Sequence, residues 1–424
     1  MSRLAEILKS RRQRLAELID FPVLLRSGAF KSRNFPANTY PFRASSHFLY
    51  FAGLSLPDAA VRIEDDRLTL FLDDPKPSSA LWHGEAPTRD QIAAEMGADD
   101  AYPLSEIATF AAVSDDPEFT NAIVKLRLIQ DESAIAEIRK AIAVTVEAHQ
   151  AGMQATLKAQ TESQIRAAME SVILSHNMTC AYNSIVTVHG EVLHNDQYHH
   201  SVQPSDLILA DVGAETQTGW ASDITRTWSA SGNFSPTQRA IYEIVLEAHD
   251  RAIAKIRPDI EYRDIHLLAC ETLAEGLVEL GILRGNPADL VEQDAHALFF
   301  PHGIGHLLGL DVHDMEDLGD LAGYEPGRSR SSRFGLGYLR LDRPLKAGMM
   351  VTIEPGFYQV PAILNDPARR EKYREAVNWD RLASFADVRG IRIEDDVLVT
   401  PEGSEVLSLA LPTNLEQIQK QVKS

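Results

Sequence analysis

Five side chains of a kind that a protein core ordinarily rejects sit at the ends of the chain's most apolar runs. Asp211 follows LILA, Asp223 lies twelve residues on in SDITRTW, His306 is set in PHGIGHLLGLDVHD, Glu354 in TIEPG and Glu394 in GIRIEDD. Burying a carboxylate is costly unless it is paired or bound to a cation. The fold must therefore either leave each of these residues at a solvated strand end or bring them to one place. Taken singly, each has an ordinary reading. Asp211 and Asp223 read as solvated acids, His306 as a loop or core histidine, and Glu354 as the entry to the Pro355-Gly356 turn. Asp395 and Asp396, beside Glu394, read as an ordinary solvated acidic turn. Five such residues in five distinctive contexts, in order within one stretch, argue against coincidence. An oxygen-rich set with a single imidazole suits Mn²⁺, Mg²⁺ or Co²⁺ better than a sulfur-lined zinc site does. Carboxylates from separate strands can bridge two divalent ions about 3.5–4 Å apart, which together hold a hydroxide and polarise a carbonyl oxygen.

The flanking pattern sets the fold class. Apolar residues at 135, 138, 142 and 146 follow Asp131 at the spacing of a long helix. TESQ at 161–164 and SPTQ at 235–238 each read as a capping box, the second with Pro236 at the first helical position. A further helix runs from about Arg263 to Leu280 and stops at Gly281. Between the helices lie strand-like runs at 183–188, 207–214, 349–355 and 390–399. Long helices alternating with hairpin-like strands predict an α+β domain whose helices cover one face of a curved sheet. The first third is a smaller mixed α/β domain, with an amphipathic helix at the start, a hairpin around Asp65-Asp66 and a helix from Thr88 to Met96. The boundary falls near residue 125, giving domains 1–125 and 126–424. A net charge of −20 disfavours nucleic acid and anionic lipid as partners. No run approaches the ~18 apolar residues of a membrane span, and the N-terminus lacks the apolar region of a secretory signal. Cys180 and Cys270 form neither a metal-ligand spacing nor a disulfide framework. A cytoplasmic, reducing setting is expected.

The same contexts resemble the pita-bread metallopeptidases (methionine aminopeptidase, aminopeptidase P and prolidase). The carriers are DVGAETQTGWASDITRTW, PHGIGHLLGLDVHD, TIEPGFY and GIRIEDDVLV, and the likeness spans about residues 125 to 415. YPFRASSHFLYFAGL is similar to the N-terminal domain shared by aminopeptidase P and many prolidases. The resemblance implies a pita-bread catalytic domain, a curved antiparallel sheet covered by helices. It also implies two divalent ions, Mn²⁺ first, with Co²⁺, Mg²⁺ or Zn²⁺ as alternatives. Asp211 would hold one ion, Asp223 and Glu394 would bridge both, and His306 and Glu354 would complete the second. Glu354 would also act as general base toward the bridging water. His313 would donate to the scissile carbonyl or its oxyanion, and His194 would bind the carboxylate side of the substrate. His302 would orient or contact substrate, and Arg392 would pair with a ligand carboxylate. His199 and His200 match no motif and read as surface. The two aspartates are one residue further apart than is usual in the family, a lengthened turn that leaves the flanking motifs intact.

Within this superfamily the contest is between prolidase, which cuts Xaa-Pro dipeptides, and aminopeptidase P, which acts on longer Xaa-Pro peptides. Both read a tertiary amide with fixed φ. The long segment from Met315 to Val351, ending GYLRLDRPLKAGMMV, looks like prolidase. Arg340 in it aligns with the arginine that clamps the free dipeptide carboxylate, so an Xaa-Pro dipeptidase is the first expectation and aminopeptidase P the alternative. Trp82, in LWHGE, either packs partly buried or reaches an active site, sometimes a neighbouring subunit's. A homodimer or homotetramer acting on small peptides is implied. A metal-free binding module or creatinase-type chemistry would require substituted ligands, and none is substituted. Phosphotriester hydrolysis would be a side activity.

Overall fold

The computed structural model describes residues 2–424 and divides the chain into two compact units. One comprises the residues up to Leu128 together with Gln217–Gly219, the other Ile129–Thr216 and Trp220–Ser424.

In the N-terminal unit the helix Arg3–Ala16 starts at Ser2, whose hydroxyl accepts from Ala5 N–H. It buries Ala5, Leu8 and Leu15, and also Arg11 and Arg12. These arginines are tolerated because their guanidinium groups reach backbone carbonyls, Arg11 that of Tyr50 and Arg12 those of Asp66 and Gly97. The strands Ala59–Glu64 and Arg67–Phe71 form the expected hairpin, with Asp65 at φ 52° in its turn. Val23–Gly28 joins one edge antiparallel and Asp100–Tyr102 the other edge parallel. The helix Arg89–Met96 begins in a complete capping box between Thr88 and Gln91. Trp82, on the short helix Ala80–His83, is 79% exposed, so the packing alternative for this residue does not describe the chain.

The second unit sets four long helices, Glu132–Ala155, Glu162–Ser175, Pro236–Lys255 and Tyr262–Glu279, with short, largely buried strands. Leu207–Val212 pairs antiparallel with Ile185–Thr187 on one side and Ile224–Ser229 on the other. Met350–Ile353 pairs with Asp395–Val399, and Gly356–Tyr358 with Gly390–Arg392. A single bridge between Thr225 and Glu394 ties these ladders together. Ser235 and Gln238 form the predicted capping box.

TESQ does not behave as a capping box. The Thr161 hydroxyl caps no backbone N–H and lies 2.8 Å from the Ser163 hydroxyl. Its neighbour Glu162 is fully buried, accepting from the Thr187 hydroxyl, Val188 N–H and the His200 backbone. His200, read as surface, is half-buried with Nδ1 2.8 Å from that carboxylate, while His199 is exposed. The run 390–399 is broken at Ile393-Glu394 instead of forming one strand. Asp395 and Asp396 are not a solvated turn, because both lie in the core. Asp395 is paired with Arg226 at 2.7 Å, and Asp396 accepts the Asp223 backbone N–H.

Candidate metal centre

The hairpin of Leu207–Val212 and Ile224–Ser229 places the first two acids. Asp211 stands directly opposite Thr225, and Asp223 lies two residues before Thr225, so all three side chains point to one face. The strands close tightly here. A Cβ on Gly213 would lie 1.8 Å from the Ser222 carbonyl oxygen, so only glycine fits. PHGIGH runs beside Met350–Ile353. Thr352 N–H donates to the His306 carbonyl and Glu354 N–H to that of Ile304, and a Cβ on Gly305 would meet the Thr352 carbonyl at 2.2 Å. That close approach brings His306 and Glu354 side by side. Glu394 enters from the break before Asp395–Val399, with its carboxylate accepting from the Thr225 hydroxyl at 2.7 Å.

The five predicted ligand residues converge. Oxygen atoms of Asp211, Asp223 and Glu394 lie within 4.8 Å of one another, as do donor atoms of His306, Glu354 and Glu394. Glu394 is common to both groups, and Asp223 reaches the second, 3.3 Å from His306 Nε2. Nδ1 of His306 lies 3.0 Å from the Leu307 carbonyl, which can only accept. The ring hydrogen therefore sits on Nδ1, and the Nε2 lone pair faces the acids.

Bound cations would relieve the crowding of these carboxylates. Burial, then the neighbouring carboxylates, pushes Asp223 and Glu394 well above the usual range; Glu354 rises to about 8 through burial, with Arg392 opposing and Asp223 and Asp211 adding. Tyr182 sharpens the point. Its hydroxyl lies 2.5 Å from oxygens of both Asp211 and Asp223, and one hydrogen cannot serve two carboxylates. Arg392 supplies one positive charge to the group at Asp211, and a proton on one acid or a bound cation would relieve the rest. The donor set fits a pair of hard divalent ions. Replacing Tyr182 with phenylalanine is expected to weaken metal retention by about 10–100-fold, read by chelator competition. Unchanged retention would show that the hydroxyl does not tune the ligands.

Arg392 donates from Nη2 to Asp211 at 2.6 Å, from Nε to Thr225 at 3.0 Å and from Nη1 to the Tyr358 hydroxyl at 3.1 Å. Tyr358 in turn lies 2.9 Å from His302 Nε2, while His302 Nδ1 faces the Gly303 carbonyl at 2.8 Å. Both nitrogens of His302 are thus engaged, which favours orientation over direct contact. Burial lowers this imidazole to about 3, with Arg392 contributing.

The four acids and the histidine of the centre, with His302 and Arg392, line a cleft of about 330 Å³ that also includes His194, His313, Tyr338 and Arg340. His313 Nδ1 lies 2.6 Å from Glu316, and Arg340 pairs with the same carboxylate. The His313 contact, then Arg340, holds Glu316 down at about 2 against its partial burial. The expectation for Arg340 was a clamp free for a substrate carboxylate, whereas here part of its fork is committed to Glu316. Sequence reasoning missed Tyr182, Tyr358 and Glu316. Only the last two carried a signal, four residues after Glu354 and three after His313.

A profile described as Metallopeptidase family M24 matches residues 136–401, and one described as Aminopeptidase P, N-terminal domain, matches residues 8–115. A probable Xaa-Pro aminopeptidase of Talaromyces stipitatus is 33% identical over 421 residues, covering 89% of this chain and 87% of that one. A probable Xaa-Pro aminopeptidase of Phaeosphaeria nodorum is 32% identical, covering 91% and 88%. Among solved structures, aminopeptidase P from E. coli with the inhibitor Pro-Leu superposes with a TM-score of 0.82 at 26% identity, covering 100% and 98% of the two chains. Pseudomonas aeruginosa aminopeptidase PepP gives 0.80 at 27%, covering 99% and 98%.

Proposed function

The chain belongs to metallopeptidase family M24 and carries the N-terminal domain of aminopeptidase P; from that premise we propose that it is an Xaa-Pro aminopeptidase, removing the first residue from peptides whose second residue is proline. The observation that carries the reading is the meeting of Asp211, Asp223, His306, Glu354 and Glu394 in one cleft. Asp211 and Asp223 would hold one divalent ion and His306 and Glu354 the other, with Glu394 and Asp223 shared. When bound, such ions acidify water and polarise the scissile carbonyl. Mn²⁺ suits the oxygen-rich set best, and Co²⁺, Mg²⁺ or Zn²⁺ are alternatives.

The remaining chemistry belongs to the chain. Glu354, the partly accessible acid of the set, takes the proton from the attacking water and can return it to the proline nitrogen as the bond breaks. His313 presents Nε2 to the cleft with its other nitrogen fixed by Glu316. His194, at the mouth, is placed to meet the substrate beyond proline. The line Arg392, Tyr358, His302 fixes the wall between ligands and substrate.

Substrate length is where this reading departs from the dipeptidase first expected. The Arg340 interaction with Glu316 supports a role in holding His313 as much as in binding a free C-terminus. The relatives that match along most of their length carry the aminopeptidase name. Chelated enzyme reloaded with Mn²⁺ is expected to release the first residue from an Xaa-Pro-Xaa tripeptide in preference to the matching Xaa-Pro dipeptide. Strong preference for the dipeptide would restore Arg340 as a carboxylate clamp and make this a prolidase. Silence on both would sink the peptidase reading. We propose self-association as well, since Leu81 and Trp82 form an adjacent apolar pair, each about four-fifths exposed at 80% and 79%.

A further inference from the structure

Outside the carboxylate cleft, three metal-type donors meet in the core of the second unit. His266 and Cys270 lie four residues apart on the helix Tyr262–Glu279 and so share one face, a turn apart. His296 joins them from the 3₁₀ turn Ala295–Leu298. The two cysteines of the chain form no pair, which is why the sequence offers no cysteine-based ligand spacing; the His-Cys pair emerges only when the helix is registered and His296 is brought in by the fold. The three residues are 0%, 0% and 2% exposed, and one donor atom from each lies within 4.8 Å of the others.

The spacing suits co-ligation. Cys270 Sγ is 3.5 Å from His266 Nε2 and 3.9 Å from its Nδ1. Nitrogen and sulfur ligands at about 2.05 and 2.3 Å on a tetrahedral ion stand about 3.6 Å apart. The Gly335 carbonyl accepts from His266 Nε2–H at 3.2 Å, which fixes the ring hydrogen on Nε2 and leaves Nδ1, 3.9 Å from the Cys270 sulfur, as the nitrogen with a free lone pair. Gly335 has φ +88°, and a Cβ there would come 3.1 Å from His296 Nε2, so the backbone approaches the cluster closely enough to exclude any side chain.

His296 supplies an independent sign that something is to be bound. Neither of its ring nitrogens makes a hydrogen bond within the chain. The Leu290 carbonyl is near enough to favour the protonated ring, but without hydrogen-bond alignment. A buried imidazole with two unsatisfied nitrogens is unusual in a folded protein. Burial disfavours charge on all three groups, lowering both imidazoles and raising the Cys270 thiol, so a cation bound among them would supply the charge that a thiolate needs here. The nearby Arg333 is held by Asp294 at 2.8 Å, which offsets its charge.

We propose that His266, Cys270 and His296 form a separate mononuclear metal site, its His266 ring oriented by the Gly335 carbonyl, that takes a thiophilic late transition ion, zinc or copper. Two imidazoles and a thiolate select such ions over the hard ions suited to the cleft. Binding displaces one proton, that of the Cys270 thiol, to solvent, and forms the sulfur–metal bond. The ion would clamp the helix to the turn that leads into PHGIGH. The His266 ring lies 5.7 Å from that of Phe300, which packs edge-on at 4.8 Å against His302.

Cobalt reports directly on sulfur ligation. The full chain, stripped with chelator and titrated with Co²⁺, is expected to take up a third equivalent accompanied by a near-ultraviolet sulfur-to-cobalt charge-transfer band, which oxygen and nitrogen ligands in the cleft cannot produce. Reloading with Zn²⁺ should give three ions per chain by elemental analysis. In Cys270→Ser the band should vanish and in His296→Gln it should weaken or shift. Both variants should keep two equivalents and their peptidase activity, which also shows that they fold. Absence of the band together with only two Zn²⁺ ions in an active chain would overturn the site. Persistence of the band in Cys270→Ser would overturn it too, by assigning the sulfur to Cys180.

Discussion

Exchanging Glu354 for glutamine is expected to reduce kcat on an Xaa-Pro-Xaa peptide by about 10²–10⁴-fold, the range for loss of a positioned general base. The amide keeps the size of the side chain and one oxygen that can face a cation, so the cleft should stay formed. What it loses is the ability to take a proton. Glu354 is suited to that task by position, since it is the acid of the set that keeps some access to the cleft, where an attacking water would stand. The nearest imidazole nitrogens, of His302 at 3.7 Å and His306 at 3.8 Å, lie beyond hydrogen-bond distance. The measurement pairs steady-state kinetics with metal content. A fall in kcat at full metal occupancy assigns the loss to proton transfer. A fall that tracks lost metal assigns it to ligation, and near-native turnover at full occupancy would remove Glu354 from the mechanism.

The candidate ligand positions that converge in the cleft were legible because each interrupts an apolar run with a residue that a core tolerates only for a reason. Asp211 after LILA is the plainest case. The same logic failed one residue past Glu394. Asp395 and Asp396 look like the solvated continuation of an acidic turn, yet their partners lie far away in the chain, on the strand with Arg226, the helix with His249 and the backbone of Asp223. A single sequence shows the cost of burying an acid but not the group that offsets it. Tyr182 was hidden for a similar reason, being a lone tyrosine in a short irregular segment whose role depends on where two aspartates arrive. The capping signature at Thr161 failed differently. Glu162 was recruited by Thr187, Val188 and His200, and the helix start rearranged around that stronger interaction. Helices with undisturbed caps, such as those at Thr88 and Ser235, appeared where the pattern put them.

The largest effect on stability is expected at Arg226, away from the proposed chemistry. Its side chain is fully buried, and all five guanidinium hydrogens are committed: Nε to the Pro412 carbonyl, Nη1 to those of Thr225 and Glu394, Nη2 to that of Leu411 and to Asp395. Arg226→Ala leaves the Asp395 carboxylate in the core with His249 as its remaining basic partner and takes a donor from four carbonyls, of which that of Thr225 keeps the Glu394 N–H. Breaking a buried pair from one side costs about 3–5 kcal/mol, so the urea midpoint at pH 7 should fall sharply under matched metal. The pH dependence gives a second reading. Burial would raise Asp395, but Arg226 and then His249 outweigh it and hold this acid below its ordinary value. A depressed carboxylate contributes stability above its unfolded pKa of about 3.9 and loses it as pH falls toward the folded value. The deficit of Arg226→Ala relative to the parent chain should therefore be greatest near neutrality and shrink below about pH 4. Arg226→Met combined with Asp395→Leu removes both charges and should recover much of the loss, because apolar replacements of a buried pair are often close to neutral. A deficit independent of pH and unrelieved by the double substitution would place the role of Arg226 in its four carbonyl contacts, and the carboxylate beside Glu394 would then be held by His249 and Ser408.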